Sequence, residues 1–194
     1  LWKFNLNYHN FLFEVISNKD LSKKNKVQTI QSIISSWIQD NDFSQAELDP
    51  DNWNSYVVSN RIIAWIKIYS IFKNDFSNDF KILFLKNLKF HSNFLSRNFE
   101  YHLGGNHLLE NAFALLFSSY LFNDKYLYRQ SSLVLTNELH EQILIDGGHF
   151  ELSPMYHQHI LKRMLDTIRL IKDNEIFSSS LIELIENKSS SMLS

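Results

Sequence analysis

Between Ser22 and Gln39 the apolar residues Val27, Ile30, Ile33, Ile34, Trp37 and Ile38 recur at three- and four-residue spacing. That is one stripe of an amphipathic helix, and Ser22 is placed to cap it. The same period predicts a helix near 56–73 from Val58, Ile62, Trp65, Ile66 and Tyr69, and another near 78–97 from Phe80, Leu83, Phe84, Leu88 and Leu95. Further helical patterns cover about 106–121, 125–144, 155–173 and 177–188, and a short one falls within 5–17. Strand-like alternation is weak throughout. Helices joined by short loops pack as antiparallel neighbours, so the expectation is an all-α fold of helical hairpins, one α/α domain over 1–194. No repeat with fixed signature residues is visible, which argues against tetratricopeptide or ankyrin solenoids.

Composition narrows the picture further. Of the 194 residues 44% are apolar and 14% aromatic, enough to bury a core and far from a disordered composition. Net charge is −2 without long runs of one sign, so the basic face of a nucleic-acid binder is missing. The chain has no cysteine, which excludes disulfides, thiolate metal sites and a cysteine nucleophile. No apolar stretch reaches the roughly 18–20 residues of a membrane span. The first residue is Leu1 and no signal-peptide layout follows it, so the chain is expected to be a piece of a longer protein.

Glycine and proline mark where the helices give way. All four glycines fall in two doublets, Gly104-Gly105 and Gly147-Gly148, and Pro154 follows the second. Six of the eight histidines lie in the same part of the chain: His102, His107, His140, His149, His157 and His159. Tyr101, Asn106, Asp146, Glu151 and Tyr156 join them. Loops held by a rigid scaffold are where binding and catalytic groups collect. The bland alternative is that glycine doublets simply end helices, and local spacing alone leaves the two readings about even.

The motifs tip the balance. Glu100-Tyr-His-Leu-Gly-Gly-Asn-His-Leu-Leu-Glu-Asn-Ala112 and Asp146-Gly-Gly-His-Phe-Glu-Leu-Ser-Pro-Met-Tyr-His157 resemble the two signature stretches of the N-terminal domain of the heparinase II/III family. Leu1-Trp-Lys-Phe-Asn-Leu-Asn-Tyr8 and Arg61-Ile-Ile-Ala-Trp-Ile-Lys67 extend the likeness from residue 1 to about 160. The resemblance implies part of an incomplete (α/α) toroid and a lyase that cleaves uronate-containing polysaccharide by β-elimination. It also implies that Asn106, His107 and Tyr156 match the family's asparagine-histidine pair and catalytic tyrosine. Two departures stand out. Trp53-Asn-Ser-Tyr-Val-Val-Ser59 lacks the prolines often found before the arginine-containing helix, and the chain ends at Ser194. The resemblance therefore leads to the expectation that later toroid helices and a C-terminal β-sandwich lie outside this chain, and in the family that region contributes a further histidine to the site.

The implied chemistry suits these residue types. Elimination removes the weakly acidic C5 proton beside a carboxylate and expels the C4 glycosidic oxygen. Donors aimed at the carboxylate stabilise the enediolate as charge develops. Asn106 supplies an amide donor that does not titrate. His107 can donate to the carboxylate, or act as a base on some sugar epimers. The Tyr156 phenol can protonate the leaving oxygen, and as a phenolate it can also take a proton. Each has a structural alternative: a helix N-cap for Asn106, a hydrogen-bonded and partly buried imidazole for His107, and a core aromatic with its hydroxyl satisfied for Tyr156. Tyr101, His102, His149, Glu151 and Arg61 are secondary candidates to line a sugar cleft, with Arg61 able to pair with a uronate carboxylate. Trp53 is a candidate to stack on a sugar face or to be buried.

Two rival chemistries use the same region. His149, His157, His159 and Asp146 offer metal-ligand atoms, but at a spacing that matches no strong zinc motif. Glu110 and Glu151 are a possible hydrolytic carboxylate pair. The expected cofactor set is empty. The expected partner is a uronate polysaccharide, together with a C-terminal β-sandwich of the same protein. A periplasmic or secreted location follows from the resemblance alone, with a cytosolic or membrane-associated role in polysaccharide assembly as the runner-up. The alternative function is a non-catalytic glycan-binding module or an inactive fragment acting in bacterial polysaccharide assembly.

Overall fold

The computed structural model describes residues 2–43, 49–174, 177 and 180–193. Among the described residues the regular structure is all helical: α1 (Trp2–Asn7), α2 (Leu12–Ser17), α3 (Lys23–Asp40), α4 (Ser55–Phe72), α5 (Asn78–Arg97), α6 (Gly105–Phe122), α7 (Lys125–Gln142), α8 (Pro154–Lys172) and α9 (Ser180–Leu193). The chain forms two compact units, 1–95 and 96–194.

Local chemistry sets the boundaries. Ser22 Oγ accepts from Asn25 N–H at 3.2 Å and opens α3, as its sequence position predicts. Asn54 and Asp124 cap α4 and α7 through their side-chain oxygens, and Ser153 caps α8 with Pro154 as its first residue, a position where proline's missing N–H costs nothing. The single short helix expected within 5–17 is instead two, α1 and α2. Asn7 ends the first, and His9 takes a left-handed backbone (φ 60°) that a helix cannot continue through. The last helix runs to Leu193, past the expected end near 188, and the segment before Ser180 lies partly outside the described residues. In α9, Ser189 and Ser191 turn their hydroxyls back to the carbonyls of Glu186 and Asn187, and Ser189 and Met192 are buried.

In the first unit α4 is buried on nearly every side, which explains why its sequence shows so little of a polar face. Trp65 packs against Phe84, Trp37 and His91. Arg61 lies in this core and is fully buried. Its Nε donates to His91 Nε2 at 3.0 Å, and its Nη atoms donate to the carbonyls of Asn7 and Asn52 at 3.0 and 2.9 Å. The guanidinium also stacks over Trp37, 4.1 Å from the ring centroid. Arg61 is therefore a structural cation whose donors are spent on unit-one partners, which corrects its assignment to a sugar cleft. Trp53 is corrected for the same reason: it is buried among Trp37, Phe90, His91 and Phe94.

None of the three hydrogen-bonding partners of Arg61 is a carboxylate, and the histidines beside it must stay neutral to avoid a buried cluster of like charge. Burial and then the Arg61 charge lower the His9 pKa to about 3, and the same causes push His91 well below its usual range. His9 Nδ1 accepts from Trp65 Nε1 at 2.8 Å. Below the ordinary histidine pKa of about 6.5 the unfolded chain binds more protons than the folded one. Stability is thus complete above that value and falls, by roughly 1.4 kcal/mol per pH unit per histidine, as pH drops toward the folded pKa. Urea titrations at pH 7 and at about pH 4.5 should differ by about 3 kcal/mol from His9 alone, with His91 adding in the same direction. His9→Asn, an uncharged residue tolerant of this backbone, should flatten the dependence. An unchanged urea midpoint across that window would show that these histidines are not held neutral.

The second unit is built around α6, buried along nearly its whole length. α7 returns along it after only Asn123 and Asp124, with Asn123 in the left-handed conformation. α8 packs on another side of α6, and α9 covers α7 and α8.

Candidate functional site

Asn106 and His107 occupy the first turn of α6. The helix N-cap is Gly104, which has no side chain to cap with, so Asn106 is not the cap that its sequence position allowed. Its residue is only 6% exposed. Its backbone N–H donates to Glu151 Oε1 at 3.1 Å, and among the described residues its carboxamide has no hydrogen-bond partner. A carboxylate 45 positions along the chain thus does the capping, where the helix dipole favours negative charge. Gly105 makes room for it. Its φ is +53°, and a Cβ there would stand 2.6 Å from Glu151 Oε1, so a larger residue would both strain the turn and expel the carboxylate.

His107 is partly exposed, and its Nδ1 lies 3.5 Å from Glu100 Oε2. Glu100 is buried and held from two sides. Its N–H donates to Asn111 Oδ1 at 2.9 Å, and Asn111 Nδ2 donates to its Oε2 at 3.2 Å. Sequence reasoning passed over Glu100 as a functional residue, although it opens the motif eleven residues before Asn111. Its role is to place a fixed carboxylate beside the imidazole.

Tyr156 stands in the first turn of α8, half-buried, with its N–H on Ser153 Oγ at 3.5 Å. One turn further along both helices the two are bonded. His159 Nε2 lies 3.0 Å from Glu110 Oε2, and Arg163 Nε donates to both Glu110 oxygens at 2.8 and 2.9 Å, with Nη2 also in close contact. With Asn106 bound to Glu151 and Glu110 bound to His159 and Arg163, α6 and α8 run side by side in the same direction. His107 and Tyr156 each precede a bonded residue by three positions, the spacing of one helix face. Sequence reasoning missed Arg163. The available signal was a cation four residues after His159 on the buried stripe of its helix.

Glu110 is fully buried. Burial alone would raise its pKa, but Arg163 and then His159 outweigh that and lower it to about 2. Ionised and bound to an arginine, it cannot serve as the proton donor of a hydrolytic pair. The histidines of the metal alternative point to separate partners: His149 to Gln142 Oε1, His157 to the Met192 carbonyl and His159 to Glu110.

Tyr101 and His102 are exposed in the turn before α6. Burial raises the Tyr101 pKa, with Glu138 adding to it. Glu151 is exposed at its own position, while one of its oxygens caps α6. His149 is corrected: it is 2% exposed and lies inside the turn that links α7 to α8, not on a sugar-facing surface. That turn is pinned by an antiparallel bridge between Ile143 and His149. Gly147 packs so tightly on α9 that an added Cβ would stand 1.8 Å from the Ser191 carbonyl oxygen.

The comparison with known proteins agrees with the motifs. The family model for the heparinase II/III N-terminus matches residues 3–192. The chain belongs to the heparinase II/III family. A heparin-sulfate lyase of Bacteroides thetaiotaomicron is 27% identical over 158 residues, 78% of this chain and 22% of that protein. A heparin-sulfate lyase of Pedobacter heparinus is 29% identical over 151 residues, covering 73% and 23%. The chain thus spans less than a quarter of the length of these relatives. Crystal structures show the same heparinase fold. The heparan sulfate lyase of Pedobacter heparinus superposes with a TM-score of 0.76 at 23% identity over 98% of this chain and 31% of its own, and a heparinase III with 0.75 at 23% over 97% and 30%. The fold is the all-α arrangement of helical hairpins expected for part of an incomplete (α/α) toroid. No helix among the described residues is long and apolar enough to cross a membrane.

Proposed function

We propose that this chain carries one wall of a polysaccharide lyase site that cleaves a uronate-containing polysaccharide by β-elimination. Asn106 and His107 neutralise the uronate carboxylate, and Tyr156 transfers the proton. The observation that carries the reading is the Asn106 carboxamide, which stands at the head of α6 on a residue only 6% exposed, is open to solvent, and makes no hydrogen bond to the protein among the described residues. A carboxamide so placed is available to a ligand, and its N–H atoms suit an anionic oxygen that gains charge during reaction. His107, whose Nδ1 lies 3.5 Å from the buried Glu100 carboxylate, adds a second donor at the next position.

Tyr101 and His102, exposed beside this turn, extend the sugar-contacting surface. The relatives are described as heparin-sulfate lyases, which makes sulfated glycosaminoglycan the first substrate class to test, with alginate and bacterial capsular polysaccharides next. The proposed setting is periplasmic or secreted, where such polymers are met. Remaining parts of a longer protein, including a β-sandwich, would supply the opposite wall.

The product decides the mechanism. Elimination leaves a conjugated unsaturated uronate, so incubation with a uronate polysaccharide should generate new ultraviolet absorbance in step with new reducing ends. Reducing ends without absorbance would mean hydrolysis and would sink the proposal. The short span relative to the lyases favours one second reading, a glycan-binding wall without turnover of its own. Saturable binding with no new absorbance would select it.

A further inference from the structure

The two motif loops are joined by a closed ring of hydrogen bonds that the mechanism above does not use. The Asn106 N–H donates to Glu151 Oε1 at 3.1 Å, and the Glu151 N–H donates to His149 Nδ1 at 3.4 Å. His149 Nε2 meets Gln142 Oε1 at 3.2 Å, and Gln142 Nε2 donates to the Gly105 carbonyl at 2.8 Å. Gly105 and Asn106 are neighbours, so the ring closes.

Its polarity is determined. Gln142 Nε2 serves two acceptors, Gly105 O and Glu138 Oε2, both at 2.8 Å, so the Gln142 oxygen faces His149. His149 must then donate from Nε2 and accept at Nδ1, which is the neutral Nε2–H tautomer. Burial, the largest influence on it, lowers the His149 pKa; Glu151 opposes this and His157 adds to it. Gln142 is 1% exposed and His149 2%, so neither is a surface group free to choose other partners.

We propose that His149 and Gln142 are positioning residues that hold the first turn of α6, and with it the Asn106 carboxamide, in place against the α7–α8 connection. This rests on the reading of Asn106 as the carboxylate-neutralising residue. The reason is mechanical. α6 lacks a side-chain cap of its own, and an uncapped first turn frays within about 1 kcal/mol. A small displacement of a donor aimed at developing charge costs rate more than affinity.

The test measures amide hydrogen exchange in the chain together with elimination kinetics. His149→Phe and Gln142→Met should lower protection of the Asn106 amide at least tenfold while leaving mid-helix amides such as Leu115 unchanged. They should also lower kcat tenfold or more with KM changed less than threefold. Glu151→Ala, at an exposed position, gives the same exchange readout should the two buried variants fail to fold. His149→Asn keeps an acceptor toward the Glu151 N–H, and His149→Gln keeps a donor toward Gln142, so each should restore part of the protection. Unchanged Asn106 protection in all variants overturns the proposal, as does lost protection with wild-type kcat. A wild-type chain that eliminates no uronate polymer sinks the reading of the site instead, and the exchange result then decides the ring alone.

Discussion

Replacing Arg163 with methionine is expected to cost about 3–5 kcal/mol of folding stability, because it leaves the Glu110 carboxylate buried without its main counter-ion. Glu110 is fully buried, and Arg163 supplies its Nε and Nη2 donors to it. His159 alone, on one oxygen, cannot replace a bidentate guanidinium. The pKa leads to the same order of magnitude. Glu110 is lowered to about 2 from the ordinary 4.5 in the fold, so it contributes about 3 kcal/mol above the unfolded value, lost as pH falls toward the folded one. Adding Glu110→Gln to Arg163→Met should return much of the loss, since removing both charges of a buried pair is often close to neutral. Urea unfolding of the two single variants and the double variant at pH 7 gives the coupling directly. A loss under about 1 kcal/mol for Arg163→Met would mean that water already solvates the pair.

That ion pair matters beyond stability because of where it sits. Glu110 follows His107 by one turn and His159 follows Tyr156 by one turn, so the contact fixes how far α8 slides along α6. It therefore sets the separation of the two groups assigned to the chemistry.

The helices were legible in the sequence because their apolar periods are regular and their caps are local. Ser22, Asn54, Asp124 and Ser153 each act within three residues. What the sequence hid is long-range. The cap of α6 comes from Glu151, and the partner of Glu110 is 53 positions away. Arg61 shows the same limit from the other side. An arginine in a motif suggests a sugar carboxylate, and only the packed core reveals that His91 and two carbonyls have taken its donors. The break between α1 and α2 escaped because His9 looks like any helix residue until its imidazole is bonded to Trp65. The motif pair itself was visible, since both glycine doublets stand out in so glycine-poor a chain. Which motif residues bond within the loops was not: His149 and Asn106 have the same polar character in the sequence, but the His149 ring is bonded to Gln142 and the Glu151 N–H, while the Asn106 carboxamide makes no protein hydrogen bond among the described residues.

Tyr156→Phe is expected to lower elimination by about 10²- to 10⁴-fold, the usual contribution of a positioned proton-transfer group. Sugar binding should change by less than about threefold, because only the hydroxyl is lost and a phenyl ring keeps the half-buried packing. The fold has no reason to respond. The Tyr156 link to Ser153 is made by its backbone N–H, which the substitution leaves in place, and the Glu110 clamp lies one turn away. The loss should appear in kcat with KM nearly constant, the pattern of a group used in the transition state and not for ground-state affinity. Asn106→Ala makes the contrast: a carboxylate-neutralising donor touches the substrate before the reaction and more strongly during it, so its loss should raise KM as well as lower kcat. Wild-type turnover by Tyr156→Phe would remove the phenol from the mechanism and pass proton transfer to His107, whose Nδ1 lies 3.5 Å from Glu100 Oε2.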